Sequence, residues 1–225
     1  MITVHHLNNS RSQRVLWLLE ELGLPYEVVR YQRNAQTMLA PPELKAVHPL
    51  GKSPVIVDGG YTVAESGAII EYLVERYDDD ARLRPPAGTP EKHRWTYFLH
   101  YAEGSMMPPL LMKLIFDRVE SAPAPFFVKP IARGIAGKVK HSYILPQLRQ
   151  HLEYLEGELG RHPWFAGADF TAADIQMSFP LEAAASRGGL DAAAYPRLAA
   201  FLARIHERPA YRRALEQGGP YELLR

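Results

Sequence analysis

Ser10 is the first residue whose type and position could do chemistry. It lies in a polar run at residues 8–14, between a strand-like segment at 2–7 and an apolar-periodic helical segment at 15–22. The first N–H groups of a helix lack internal partners and the helix dipole is positive there, so a hydroxyl at this junction indicates an anion site. Serine is equally a preferred helix cap, although Ser12 could take that role instead.

The Lys52-Ser53-Pro54 turn and the Glu65-Ser66 pair occupy similar junctions further along the chain. A proline before a strand is either an ordinary strand-start residue or a cis peptide that holds a loop in a special shape. In the cis form, the Ser53 backbone could pair with an extended peptide while Lys52 faces a carboxylate. Ser66 is either a helix cap or a partner for a ligand carboxylate, with Glu65 facing an ammonium group.

An apolar cluster beside Pro108-Pro109 is a second candidate surface. Ordinary core packing and an adaptable wall for hydrophobic ligands both fit a methionine-rich cluster of this kind. Its members are Met106, Met107, Leu110, Leu111, Met112 and Phe116.

Metal chemistry is not indicated by the pattern of histidines. His93 and His100 are two helical turns apart, or roughly 10.5 Å, which is too far for a shared ion. The sequence also contains no GxSxG, HExxH or GxxxxGK[ST] pattern, so serine hydrolases, zincins and P-loop enzymes lack their signatures. We expect no metal cofactor.

The composition narrows the classes of partner. The 225 residues carry a net charge of +1 with basic and acidic residues interspersed, which gives no footprint for nucleic acid or an anionic membrane. No apolar run reaches the roughly 18 residues of a membrane span, and the amino terminus lacks the pattern of a secretory signal. The absence of cysteine excludes a cysteine nucleophile and suits a reducing compartment. We expect a cytoplasmic protein without nucleic-acid partners.

Strand-like and helical segments alternate in the first 80 residues. Strand, helix and strand at residues 2–31 predict a right-handed parallel βαβ unit. Asp58-Gly59-Gly60 predicts a hairpin turn, and residues 66–77 return to helical spacing. The order βαβ, ββ, α describes a small four-stranded α/β domain at residues 1–80.

The rest of the chain is predicted to be helical. Residues 81–90 are rich in proline and glycine and are typical of a linker, so a second, all-α domain is expected at residues 91–225. Thr171 and Asp174 resemble a capping box at the start of an apolar helix. Prolines inside the predicted helices should kink or divide them, because proline lacks a backbone donor. They are Pro108, Pro109, Pro146 and Pro180.

The chain resembles the glutathione transferases over nearly its whole length, most of all the yeast-type transferases of bacteria and fungi. The yeast-type features are the segments at residues 40–45, 48–54 and 101–110. The wider family motifs are SRSQRVLWLLEELGLPYE, ELKAVHPLGKSPVIVDGG, AESGAIIEYLVERY and FTAADIQMSFPL.

This resemblance implies a thioredoxin-like amino-terminal domain with a mixed sheet and cis-Pro54, a helical carboxy-terminal domain and a homodimer. By position, it implies that Ser10 activates glutathione. Lys52, Ser53, Glu65 and Ser66 correspond to glutathione contacts, and Asp174 to a buried structural aspartate. Candidate lining residues of the hydrophobic electrophile site are Tyr101, Met106, Met107 and Phe116.

The activity implied is addition of a glutathione thiolate to small hydrophobic electrophiles, with Ser10 donating a hydrogen bond to sulfur. Asn8, Asn9, Arg11 and Ser12 stand close enough in sequence to share or replace that role. Two alternatives remain open. One is peroxidase or isomerase activity of the same thiolate, and the other is a non-catalytic member that binds ligands or supports a complex.

Overall fold

A four-stranded mixed sheet organises the amino-terminal part of the chain. The computed structural model describes residues 1–224. Within them, β1 lies at the second position of the sheet, in the order β2-β1-β3-β4, parallel to β2 and antiparallel to β3. The strands are β1 (Ile2–Leu7), β2 (Tyr26–Tyr31), β3 (Val55–Asp58) and β4 (Tyr61–Ala64).

Three helices accompany the sheet: α1 (Ser12–Leu22), α2 (Leu44–Val47) and α3 (Ser66–Tyr77). Helix α1 ends because Gly23 takes the left-handed conformation, with φ of 67°, and its N–H closes onto the carbonyls of the last turn. A residue with a Cβ would be strained there. The predicted βαβ-ββα order is confirmed.

Helices α4 to α10 make up the rest of the described chain. The predicted helical segments are divided near three of their four prolines, since Pro108, Pro109 and Pro146 fall in the first turns of new helices, where their missing N–H costs little. Pro180 instead lies inside the helix at Ala172–Ala183 and does not divide it. The helices are α4 (Pro90–Tyr101), α5 (Met107–Ser121), α6 (Lys129–Val139), α7 (Leu145–Arg161), α8 (Ala172–Ala183), α9 (Pro196–His206) and α10 (Pro209–Gly218).

Within residues 1–224, three five-residue π turns interrupt the helical part. They occupy Ala102–Met106, Lys140–Ile144 and Ala184–Gly188. The first two lead directly into the proline-containing starts of α5 and α7. Single π turns of this kind often occur at functional sites.

The two parts of the molecule share one core. Helix α1 packs against α3 of the sheet part and against α8 and α10 of the helical part. The Trp17 ring meets Tyr211 edge-on at 5.1 Å between centroids, and Arg208 Nε donates to Glu21 Oε1 at 2.5 Å. The start of α1 is therefore held by both parts of the fold.

The predicted fold class is confirmed, with its mixed sheet, its cis Ser53–Pro54 peptide and its helical carboxy-terminal part. The domain limits at residues 1–80 and 91–225, with a linker at 81–90, stay a prediction. Within residues 1–224, no helix combines the length and the apolar character that crossing a membrane requires.

Candidate functional site

A polar cleft of about 220 Å³ lies where the Pro54 loop, the start of α3 and the first π turn meet. It brings together all four residues predicted to bind glutathione, together with Pro54. Its lining residues are Arg11, His48, Leu50, Lys52, Ser53, Pro54, Ala64, Glu65, Ser66 and Glu103.

The Ser53 side chain fixes the loop of the cis peptide to the sheet. Its hydroxyl donates to the His5 carbonyl at 2.8 Å and accepts the Leu7 N–H at 3.2 Å. Both partners lie on β1, so the loop is held against the end of the central strand. Lys52 and Pro54 then border the cleft on either side of Ser53.

Glu65 and Ser66 mark the start of α3. Glu65 has a positive φ of 72°, which is uncommon for a residue with a side chain, and it makes no side-chain cap. The Ser66 hydroxyl accepts a hydrogen bond from Arg14 Nη2 at 3.0 Å. No side chain caps α3, so the alternative interpretation of Ser66 as a helix cap is wrong. The backbone turns so that Glu65 and Ser66 both line the cleft.

Ser10 lies immediately behind Ser53 and does not line the cleft. Its side chain is 3% exposed, and its Oγ is 3.4 Å from Ser53 Oγ and 2.7 Å from Ser12 Oγ. The hydroxyl also accepts the Ser12 N–H at 3.3 Å. No side chain caps α1. The hydroxyl of Ser12, the alternative cap, contacts Ser10 Oγ and His6 Nδ1 instead.

The hydrogen bonds of Ser10 continue into the sheet. Ser12 Oγ is 2.9 Å from Nδ1 of His6, a buried residue of β1. Burial, followed by the positive charge of Arg30, lowers the pKa of His6 to about 4, so the imidazole is neutral at physiological pH. The chain from Ser10 through Ser12 to His6 thus carries no net charge.

Glu103 is a site residue that the sequence analysis did not single out. It stands on the first π turn, lines the cleft, and accepts from Arg11 Nε at 2.9 and 2.8 Å and from Arg14 Nη2. Burial opposes ionisation, but the charges of Arg14 and Arg11 prevail and lower the pKa of Glu103. The signal available in the sequence was one acid within a turn of otherwise uncharged residues.

Arg14 connects this carboxylate to the rest of the cleft. Its side chain is 1% exposed, and Nη1 donates to the Gln176 carbonyl at 2.6 Å while Nη2 also reaches Ser66. Burial lowers the pKa of Arg14, and Glu103 opposes that effect. One buried guanidinium therefore ties together α1, α3, α8 and the π turn.

The four candidates for the electrophile wall do not border the cleft in this structure. Met106 and Met107 are buried in the core, and Phe116 packs partly buried against it. Tyr101 is buried as well, with its hydroxyl 2.5 Å from His151 Nδ1, and burial raises its pKa. In this structure these four residues pack in or against the core, which is the alternative interpretation given for the apolar cluster.

Asp174 forms the capping box with Thr171 that the sequence pattern predicted. Its carboxylate accepts the N–H groups of Phe165 at 2.9 Å and Thr171 at 2.8 Å, and the Thr171 hydroxyl at 3.1 Å. The reciprocal bond from Ala173 N–H to Thr171 Oγ1 completes the start of α8. In the part of the chain that the structure describes, no three His, Cys, Asp or Glu side chains gather as metal ligands would.

The fold and the cleft define a class of protein in which a thioredoxin-like part carries a polar site and the helical part contributes one acid, Glu103, to its lining. Family models agree with this class: "Glutathione S-transferase, N-terminal domain" matches residues 1–75, and "Glutathione S-transferase, C-terminal domain" matches residues 115–204.

Known proteins extend the match to nearly the full chain. Glutathione S-transferase 3 of Schizosaccharomyces pombe is 37% identical over 96% of this chain and 88% of its own length. Glutathione S-transferase 1 of Saccharomyces cerevisiae is 35% identical over 96% and 95%. A crystal structure of a glutathione S-transferase from Actinobacillus pleuropneumoniae superposes with a TM-score of 0.83, at 35% identity over 100% and 96% of the two chains.

The chain belongs to the glutathione S-transferase family. The resemblance to yeast-type transferases, inferred from the sequence motifs, is confirmed by the two fungal relatives.

Proposed function

We propose that this protein is a transferase that binds glutathione extended in the cleft and adds its sulfur to small electrophiles. The observation that carries the proposal is the convergence of Lys52, Ser53, Glu65 and Ser66 on one cleft, with Ser10 directly behind Ser53. These residues come from three separate stretches of the chain and match the charged and polar groups of the tripeptide in type.

In this proposal each side chain has a distinct task. Lys52 faces the glycyl carboxylate, and the Ser53 backbone pairs with the cysteinyl unit as a strand edge would. Ser66 and the first N–H groups of α3 receive the γ-glutamyl carboxylate, while Glu65 faces its ammonium group.

Ser10 and the start of α1 are assigned to the sulfur. A free thiol with a pKa of about 8.5 is only a few per cent ionised at pH 7. Lowering that pKa by about two units requires about 2.7 kcal/mol of differential stabilisation. A hydrogen bond from Ser10, the helix terminus and Arg11 together can supply energy of that order.

The Ser10 proton must change partner for this role. Ser12 Oγ lies 2.7 Å and Ser53 Oγ 3.4 Å from Ser10 Oγ, so both oxygens are within its reach. A thiolate is a charged acceptor and competes well with a neutral hydroxyl, because charge-assisted hydrogen bonds are about twice as strong as neutral ones. Sulfur then attacks the electrophile, with no covalent intermediate on the protein.

The homodimer that the family resemblance implies and the cytoplasmic location that the composition predicts complete this proposal.

Titration calorimetry with reduced glutathione is the first test. We expect saturable binding, and we expect the exchange Lys52→Gln to weaken it by about tenfold through loss of one charged contact. Lys138→Gln, an exposed change on α6, is the matched control. No heat at millimolar glutathione would reject the proposal.

Turnover is the second test. An aryl halide and an organic hydroperoxide, each supplied with glutathione, separate transfer from peroxide reduction. Conjugation of the halide supports a transferase. Reduction of the hydroperoxide alone would replace it with a peroxidase, and binding without either reaction would indicate a non-catalytic member.

A further inference from the structure

A second cavity, of about 350 Å³, lies among α8, the third π turn, α9, α10 and the 3₁₀ turn at Glu222–Leu224. Among the described residues, it shares no lining side chain with the cleft assigned to glutathione. Its volume is typical of a small-molecule site. We call it the Glu182 pocket, after the one acid in its wall. Its aliphatic lining comes from Ala185, Leu202, Leu215 and Leu223.

Glu182 places a buried carboxylate beside these aliphatic groups. Its side chain is 1% exposed. Oε1 accepts from the Tyr211 hydroxyl at 2.6 Å and lies 3.2 Å from His206 Nε2, while Oε2 accepts from the Tyr221 hydroxyl at 2.7 Å. Glu182, His206 and Tyr211 all line the pocket, so this hydrogen-bonded group forms part of its wall.

The charge of Glu182 has no permanent counter-charge in the fold. Within residues 1–224, neither a lysine nor an arginine pairs with it, and its one ion-pair partner is His206, which is charged only when protonated. Burial and the charge of Glu182 raise the pKa of Tyr211, so the phenol is a neutral donor. A buried carboxylate without a matching cation is costly. A ligand that brings a cation therefore gains binding energy there.

The carboxylate also has room for a further donor. Two carboxylate oxygens offer about four acceptor positions, and the three contacts above use three of them. The contact with His206 is the longest, and the His206 side chain is 32% exposed. An ammonium group can therefore bind at the open position on Oε2 or replace His206 at Oε1.

We propose that the Glu182 pocket binds an organic cation, namely a primary amine attached to a compact apolar group. The ammonium group donates to the Glu182 carboxylate, and the apolar group lies against Leu202, Leu215 and Leu223. An acid of the same shape is repelled by the carboxylate, and an alcohol leaves its charge unneutralised. The site is separate from the glutathione cleft and does not depend on the transferase proposal.

Three ligands with the same apolar group test the inference: 2-cyclohexylethylamine, 2-cyclohexylethanol and 3-cyclohexylpropanoate. Each is titrated into the full chain by calorimetry at pH 7, where the amine is a cation and the acid an anion. We expect saturable binding of the amine with a Kd below about 1 mM, and binding of the alcohol and the acid at least about tenfold weaker. No saturable binding of the amine, or equal binding of the alcohol, would overturn the inference.

The exchange Glu182→Gln assigns the amine to the buried carboxylate. It keeps the size of the side chain and removes its charge, so it should weaken amine binding by about tenfold or more. Glu216→Gln, on the exposed face of α10, is the matched control and should bind the amine as the unmodified protein does. Undiminished amine binding by a folded Glu182→Gln protein would contradict the assignment.

A second variant leaves the buried carboxylate intact. Ala185 is exposed and lines the pocket, so Ala185→Trp places an indole in its volume without altering the core. We expect this variant to lose amine binding. Ala192→Trp, an exposed change in the turn before α9, should retain it. Equal amine affinity of the two tryptophan variants would show that the amine binds elsewhere.

Saturating reduced glutathione separates this site from the cleft, which has acids of its own in Glu65 and Glu103. The affinity for the amine should be the same with and without glutathione. Displacement of the amine by glutathione would place it in the cleft and overturn this inference, while leaving the transferase proposal intact. Amine binding by a protein that binds no glutathione would support the Glu182 pocket and reject the transferase proposal.

Discussion

At the scale of single residues, the sequence predicted Ser10 as a candidate but not the side chains that surround it. The strand-to-helix junction identified the hydroxyl as a candidate, because that position follows from local periodicity. Its partners are Ser12, which in turn contacts His6 of the sheet, and Ser53, which lies on a loop more than forty residues away. Local pattern therefore predicted the residue, and tertiary contacts determine its state.

The exchange Ser10→Ala should raise the kinetic pKa of bound glutathione by about one unit and lower turnover at pH 6.5 about tenfold, because one donor to the thiolate is lost. Glutathione affinity should change little. The measurement is the pH profile of kcat/KM with an aryl halide. Ser12→Ala serves as the comparison, and an unchanged profile in Ser10→Ala would exclude its role at the sulfur.

His6 predicts a specific dependence of stability on pH. Its pKa is about 4 in the folded protein against 6.5 in the reference state. The unfolded chain therefore binds more protons between these values, and the free energy of unfolding falls as the pH drops through this window. His6 should account for about 2 kcal/mol of the loss between pH 7 and pH 5.

Urea unfolding at the two pH values checks this expectation. The non-titrating variant His6→Asn should have a correspondingly smaller pH dependence. His141→Asn, an exposed change, should keep the dependence of the unmodified protein. Identical pH dependence in all three proteins would contradict the buried, neutral state of His6.

At the scale of elements, the start of α8 depends on one carboxylate. Asp174→Asn should lower the free energy of unfolding by about 3 kcal/mol, because an amide cannot accept from all three donors and leaves buried N–H groups unpaired. The comparison is Asp169→Asn, which changes an exposed acid nearby and should stay within about 0.5 kcal/mol of the unmodified protein. Equal stability of the two variants would mean that the capping box contributes little.

The first π turn likewise depends on one carboxylate, that of Glu103. Glu103→Gln removes the charge that faces the buried Arg14 and should cost about 3 kcal/mol of unfolding free energy. Glu216→Gln, on the exposed face of α10, is the control. Chemical denaturation measures both, and a Glu103 variant as stable as its control would show that other contacts suffice for Arg14.

Periodicity predicted the elements of the sheet domain closely. The predicted first strand at 2–7 and helix at 66–77 have the same limits as the observed β1 and α3, because alternation and helical spacing are local properties. The role of Glu103 was not predictable in this way. Its partners Arg11 and Arg14 lie about ninety residues earlier in the chain, and no spacing rule connects them.

At the scale of the whole molecule, α1 packs against both the sheet part and the helical part. Buried residues from the sheet, such as Val4 and Ile56, and from the helices, such as Phe98 and Leu148, form one continuous hydrophobic cluster. Separate unfolding of either part would expose the faces of α1 that contact the other.

We therefore expect a single cooperative unfolding transition. Far-ultraviolet circular dichroism, which follows the helices, and tryptophan fluorescence, which includes the buried Trp17, should give the same midpoint in urea. Two resolved transitions would contradict the shared core and indicate that the sheet domain and the helical domain unfold independently.

The π turn at Ala102–Met106 has a consequence for length variation. A π turn accommodates one more residue per hydrogen-bonded loop than an α turn, and removing one residue from a helix rotates everything beyond it by about 100°. A chain one residue shorter here would retain both flanking helices, yet its acid would point away from the two guanidinium groups. Loss of a single codon would thus break the ion pairs between the first π turn and α1 and displace the core residues Met107 and Leu110 of α5.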